Sequence, residues 1–505
     1  MTNSQQLTKT LSGVLRLALV LFLPCLMLNG CASDHLSTHV YTSKNNDEKT
    51  TAKDAEVLAE KNSGPVVDMH ADEQTSDLTF TSNPTHRSES IHRSNIITVG
   101  AQQFEKYLPL LEGKRVSLVV NQSALVSTDN TLSATSVLSP QKSAFNGGAQ
   151  HLLDALLQRN VNVVSIMSPE HGFRGDKGAG EKINSDIDVK TGLPIHSLYG
   201  TTKKPTPNML ANTDVIVFDI QDVGVRFYTY LSTLHYVMEA AFEQNIHVIV
   251  LDRPNPNGKH VDGPVLQPGF TSFIGMHPIP VLHGMTLGEL AKMMIGEQWL
   301  KIDANAYFNA KLTVVPVGQY KRAMHYSLPV PPSPNLPNDL AIGLYPTLCF
   351  FEGTDVSIGR GTDFPFQLIG HPDVEFGESK IQVQPNSAAP HPKYNGAVLL
   401  AHVFSYQTLH DASSNGLPFS GLHLATLVNA YSRFSAFNNT GAALDKGKVT
   451  FFTRPEFFDK LAGTDELRLQ IEAGKTTKEI QQSWQQKLSK FKEKRETYLL
   501  YDDAN

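Results

Sequence analysis

Glu170, His171 and Arg174 stand within five positions of one another in "SPEHGFRG" (Ser168–Gly175), just where a β-branched run ends at Ser168-Pro169. A second charged group, Asp219, Asp222 and Arg226, follows the apolar run inside "DVIVFDIQDVGVR" (Asp214–Arg226), and Glu352 and Arg360 share "FEGTDVSIGRGTDFPF" (Phe351–Phe366). Carboxylates in pairs suit glycosidic cleavage, where one acid protonates the leaving oxygen and a second group assists at the anomeric carbon. A guanidinium fork grips a carboxylate through two parallel N–H···O bonds. The chain carries a formal charge of −6, so an anionic sugar needs such local arginines against the global field.

These residues fall at the ends of strand-like runs. "RVSLVV" (Arg115–Val120) ends at Asn121, "VNVVSIM" (Val161–Met167) leads to Glu170, "DVIVFDIQD" to Asp219 and Asp222, and "IHVIVLDRPNP" (Ile246–Pro256) to Asp252 and Arg253. Amphipathic stretches alternate with them, Gly148–Asn160 and Ser232–Asn245, both with helical spacing. Near-continuous Val/Ile runs alternating with helices predict a parallel sheet covered on both faces, hence an α/β fold. In such sheets ligands sit outside the carboxyl ends of the strands, where these polar groups collect. Capping and turn closure are competing roles for the shorter ones, Asn121 and Asp252 above all.

Beyond about Pro316 the pattern changes. "SLPVPPSPNLPN" (Ser327–Asn338) is too rich in proline for helix or central strand. The Gly-punctuated Phe351–Phe366 stretch reads as a loop, and Thr476–Tyr501 returns to helix. A Rossmann-like domain over 96–327 and a smaller mixed α+β domain over 328–505, completing a cleft, are expected.

Other chemistries lack their motifs. "GDKGAGEK" (Gly175–Lys182) has neither the third glycine of G-x-G-x-x-G nor the Lys-Ser/Thr of a P-loop. There is no G-x-S-x-G and no H-E-x-x-H, so neither a cofactor nor a metal is expected. No basic stripe interleaved with aromatics points to nucleic acid. With 40% hydrophobic and 18% charged residues, the 505-residue chain has the composition of a soluble globular protein with a sizeable core.

The N-terminus is a different object. Lys9 and Arg16 precede the apolar "LALVLFLPCLML" (Leu17–Leu28), and "LNGC" (Leu28–Cys31) resembles a bacterial lipobox. Residues 1–31 are expected to be a lipoprotein signal with Cys31 lipidated, anchoring the protein to a membrane at its periplasmic face. Ala32 after the cysteine favours the outer membrane. Loss of Lys9 and Arg16 takes the formal charge from −6 to −8. Residues 32–95, polar and almost free of aromatics, read as a disordered tether. Cys349 then stands without a cysteine partner, and "TLCFF" marks it as a small buried hydrophobe.

"VNQSALV", "SPEHGFRGDKGAGEKI", "FDIQDVGVRFYTYLSTL", "LDRPNPNG", "PPSPNLP", "FFEGTDVSIGRGTDFPF" and "LAGTDELRLQIEAG" together resemble the exo-β-N-acetylmuramidase family of NamZ type, long known only as a domain of unknown function. The likeness runs from about Ile96 to Tyr501. It implies a Rossmann-like domain with a smaller C-terminal one. It also implies release of terminal N-acetylmuramic acid from the non-reducing end of peptidoglycan fragments. The glutamate of the S-P-E-H-G motif, implied as catalytic, matches Glu170. On that footing Glu170 is the expected general acid, oriented by His171, with Asp222 or Glu352 as second carboxylate and Asp219 as support. Tyr228 and Asn121 are candidates to line the sugar pocket. Arg174, Arg226 and Arg360 are unranked candidates for the lactyl carboxylate. The competing reading is a muropeptide-binding lipoprotein without activity on the same scaffold.

Overall fold

Unbroken apolar strands are stable only where both faces of a sheet are covered, because alternate residues point into opposite cores. The structure, a computed structural model, describes residues 97–128, 148–170, 172–173, 186–406 and 421–503. The signal and tether expected over 1–31 and 32–95 lie outside the described residues.

Val116–Val120 (β1), Val163–Ser168 (β2), Asp186–Ile187 (β3), Pro194–Ser197 (β4), Val215–Asp219 (β5), His247–Leu251 (β6) and Leu312–Val315 (β7) form one sheet. Its order is β7-β6-β5-β1-β2-β4-β3, parallel throughout except for β3 against β4. Val215 and Val217 of β5, with Ile249 and Leu251 of β6, enter a core covered by helices Phe104–Leu111 and Leu152–Leu157. Their neighbours Ile216, Phe218, Val248 and Val250 enter the opposite core, under helices Tyr230–Phe242 and Leu287–Gly296. This alternation explains why the strands read as continuous hydrophobic runs.

From β1 the chain steps through β2 to β4, then crosses back to place β5 on the other side of β1. Strand order therefore reverses between β1 and β5, opening a crevice at their carboxyl ends. A smaller antiparallel sheet follows: Leu368–His371 (β8), Ser379–Gln382 (β9) and Val398–Val403 (β10), in the order β8-β10-β9. Helices Leu424–Asn438, Pro455–Ala462 and Gln485–Glu496 complete this second part.

The two parts share a core. Phe350, Leu424, Leu427 and Phe458 belong to the same apolar cluster as helix Tyr230–Phe242, which buries every residue except Tyr236. A helix buried on all sides belongs inside such a sandwich, and its buried His235 and Glu239 bond each other at 3.0 Å. The chain end is stitched back on: Arg322 grips Glu289 at 2.8 and 2.9 Å and donates to the Tyr501 carbonyl, while the Tyr501 hydroxyl donates to Asp252 at 2.6 Å.

Three details differ from or refine the sequence expectation. Helix over Gly148–Asn160 is confined to Leu152–Leu157, because Ala149–His151 pairs antiparallel with Leu125–Ser127. The His151 ring then caps the helix, accepting from the Leu153 amide at 3.2 Å. Pro194–Ser197 is a strand that its proline and histidine concealed. Cys349 is buried in the main core, and burial pushes its thiol well up, as suits a packing residue. Among the described residues no helix is long and apolar enough to cross a membrane.

Candidate active site

Two strand ends and three later segments line the cleft at the crevice. Glu170 follows β2 through Pro169 and lines a cleft with Phe227, Tyr228, Thr229 and Tyr230, which come after β5. Ser333 and Leu336 of the proline-rich segment, Tyr345 of helix Asp339–Leu348, and Arg360 and Phe366 of the Gly-punctuated loop close its other side. The cleft holds about 440 Å³ of space, counting the part open to solvent.

Glu170 is half-buried and accepts a hydrogen bond from Thr229 Oγ1 at 3.3 Å. The aromatic wall beside it is interlocked: Tyr228 meets Tyr230 edge-on at 4.9 Å and Tyr345 at 5.8 Å, and Tyr345 meets Phe366 at 5.1 Å. Burial pushes the phenols of Tyr228, Tyr230 and Tyr345 up, so they remain protonated donors.

The hydroxyls of Tyr228 and Tyr230 donate to the Pro332 carbonyl at 2.9 and 3.3 Å, and Gln122 donates to Pro331 and Pro332. The proline-rich segment has few amide donors of its own. Its carbonyls thus serve as the docking points that hold it against the sheet edge. Asn121 sits fully buried beneath, donating to the Tyr230 hydroxyl at 2.9 Å while accepting from the Ser123 amide and hydroxyl. It positions the wall rather than lining it.

Arg360 projects from a turn that its neighbours make possible. Gly359 and Gly361 have φ of +85° and +77°, and a Cβ on Gly359 would lie 2.1 Å from the Phe364 carbonyl oxygen. Only glycine fits there without strain. The Arg360 guanidinium lies 4.9 Å from the Phe366 ring centroid and donates to Glu352 Oε1 from Nε at 3.0 Å and Nη2 at 2.6 Å. Burial opposes its charge, but the Glu352 carboxylate outweighs that and raises its pKa.

The remaining candidates have other positions. Asp219 is fully buried and bound at both oxygens by Arg253, at 2.5 and 2.9 Å. Arg226 is 1% exposed and spans three carbonyls, Pro264, Ile279 and Leu461, each at 2.8 Å. It ties the Asp262–Val265 ribbon to helix Pro455–Ala462 and is not among the cleft-lining residues. Burial lowers its pKa to about 9.

Asp222 is buried, with Oδ1 accepting from the Gly224 amide at 2.6 Å and Oδ2 unpartnered. Burial raises its carboxyl to about 7, against the pull of the Gly224 and Val223 amides. It faces a small internal void with Asp252, Arg253 and Asn255, not the cleft that Glu170 lines. Glu352 is not among the cleft-lining residues and pairs with Arg360, which is. His171 and Arg174 lie outside the described residues. Among the described residues no cluster of His, Cys, Asp and Glu is arranged to hold a metal ion.

Sequence reasoning did not single out Phe227, Thr229, Tyr230, Ser333, Leu336, Tyr345 or Phe366. The wall residues sit in helices and loops, where an aromatic reads as core.

The chain has clear relatives. The family described as exo-β-N-acetylmuramidase NamZ, N-terminal, matches residues 136–340, and its C-terminal counterpart matches residues 343–501. The peptidoglycan β-N-acetylmuramidase NamZ of Bacillus subtilis (strain 168) is 37% identical over 437 residues, covering 83% of this chain and 94% of that one. Two DUF1343 family proteins of Bacteroides fragilis NCTC 9343 have crystal structures of the same fold. One is 39% identical with a TM-score of 0.66, covering 81% of this chain and 99% of its own. The other is 30% identical with a TM-score of 0.62, covering 80% and 99%. With both halves matched in order and the full cleft-forming region spanned, the chain belongs to the NamZ exo-β-N-acetylmuramidase family.

Proposed function

We propose that this protein is a glycoside hydrolase that releases terminal N-acetylmuramic acid from the non-reducing end of peptidoglycan fragments, with Glu170 as general acid. Kinship with the Bacillus subtilis peptidoglycan β-N-acetylmuramidase supports the hydrolase class and the substrate. The observation that carries the assignment of Glu170 is its position: a carboxyl past β2, beside the β1/β5 switch point, on the wall of a cleft that also holds Arg360. A cleft closed on one side by the docked proline segment suits attack at a chain end. In this reading Arg360 holds the lactyl carboxylate that distinguishes muramic acid from glucosamine, and the aromatic wall stacks on the sugar ring. The chain is expected to act while tethered through a lipid on Cys31 at the periplasmic face of the outer membrane.

Glu170→Gln tests the role of the acid. The change is nearly isosteric and removes the transferable proton, so kcat on the natural disaccharide is expected to fall at least about 10²-fold with Tm little changed. Turnover close to wild type would place the acid elsewhere. Stoichiometric muropeptide binding with no turnover by the wild-type protein would favour the binding-protein reading instead.

A further inference from the structure

We propose that Tyr199 is a positioning residue for Glu170, directing its carboxyl toward the glycosidic oxygen. The inference rests on Glu170 being the general acid. Its ground is the register of the sheet. β2 and β4 are parallel, with Ile166 opposite Ile195, Met167 opposite His196 and Ser168 opposite Ser197. The ladder continues past the named strands, because the Leu198 amide donates to the Ser168 carbonyl at 2.8 Å. The chain then turns, the Gly172 amide bonding to the Pro169 carbonyl at 3.2 Å, and the same 29-residue offset puts Tyr199 on the strand end neighbouring that of Glu170.

Two strand ends thus deliver an acid and a phenol side by side. The Tyr199 amide is held by Ser197 Oγ at 3.3 Å, which fixes the turn that presents the side chain. Burial first, and then the nearby negative charge of Glu170, push the Tyr199 phenol well above its usual range. It is therefore a protonated donor throughout the working pH range. Thr229 Oγ1 grips Oε2 of the same carboxylate from the β5 side.

A carboxyl bonded by Thr229 and flanked by the Tyr199 phenol is confined in rotation. A general acid needs that confinement, because its proton must point at one oxygen. The Glu170 charge also helps raise the Tyr230 phenol, and Tyr228, Ser333, Tyr345 and Arg360 are the other polar groups of the described cleft lining.

The test is Tyr199→Phe, which keeps the ring and its packing and deletes the hydroxyl. Steady-state kinetics are measured on the natural disaccharide and on a p-nitrophenyl N-acetylmuramic acid glycoside, whose leaving group needs little protonation. The expected result is a fall of about tenfold in kcat on the disaccharide at unchanged KM, with the aryl glycoside within about twofold of wild type. Thr229→Val, made alone and in combination, is expected to give a loss that does not simply multiply with that of Tyr199→Phe, since both groups hold one carboxylate.

An equal fall on both substrates would show that the hydroxyl only supports the cleft, and no fall on either would show that Glu170 does not depend on it. Either result overturns the inference while leaving Glu170 as the acid. Glu170→Gln measured alongside separates the two, because its failure to reduce disaccharide turnover would remove the acid itself. Tm of each variant, expected within a few degrees of wild type, excludes misfolding as the source of a loss.

Discussion

Arg360→Ala isolates the charge that the cleft offers to its ligand. Of the three arginines whose sequence context suits the lactyl carboxylate, Arg226 is spent on three backbone carbonyls and Arg174 lies outside the described residues. Arg360 lines the cleft with 28% of its side chain exposed. A charge-assisted hydrogen bond contributes about 1.5–3 kcal/mol when shielded. Partial exposure argues for the lower part of that range, which corresponds to roughly 10–30-fold in kcat/KM.

The assay compares p-nitrophenyl glycosides of N-acetylmuramic acid and N-acetylglucosamine, which differ by the lactyl group. Arg360→Ala is expected to cost the first substrate that factor and to leave the second within about twofold. Arg360→Lys should recover part of the loss, as a point charge without the fork. The Glu352 pair is part-exposed, so Tm should shift little. Equal losses on both sugars would refute the reasoning, for they would mean that Arg360 merely props the wall through Phe366 and Glu352. No loss on either would place the carboxylate elsewhere.

The other expectations concern the anchor and a buried acid. Cys31→Ser should move the protein from the membrane fraction to the soluble one, and metabolic fatty-acid labelling should mark the wild type alone; an unlabelled wild type would end the lipoprotein reading. Asp222 has a folded carboxyl raised to about 7 by burial, above the ordinary value of 3.8. The folded state therefore binds more protons than the unfolded one between those values, so stability falls as pH rises from about 4 to about 7. Asp222→Asn keeps the acceptor for Gly224 and removes the ionisation. Its Tm relative to wild type should rise across that window, and a difference independent of pH would show that Asp222 does not titrate there.

Much of the framework is written locally. Val/Ile runs at Val116–Val120, Val163–Ser168, Val215–Asp219 and His247–Leu251 declare buried strands, because a strand covered on both faces needs apolar side chains at every position. The strand-end rule then brings Glu170, Asn121, Asp219 and Asp222 to one edge. It cannot sort them. Which polar group faces the cleft and which is consumed as structure depends on partners distant in sequence. Asp219 is neutralised by Arg253, 34 residues on, and Arg226 finds its third carbonyl at Leu461, 235 residues on. Arg360 reaches the cleft because two glycines turn the chain there and the second part packs over helix Tyr230–Phe242.

The nearness of the Glu170 and Tyr199 strand ends likewise comes from strand register, since the hydrogen-bond ladder between β2 and β4 aligns residues 29 apart in sequence. Local sequence determined the elements and the chemical inventory at their ends, through side-chain periodicity and turn chemistry. Tertiary structure alone decided which charges are paired, buried or left to face a ligand, because ionisation and hydrogen bonding answer to whatever packs within a few ångströms, however far away in the chain.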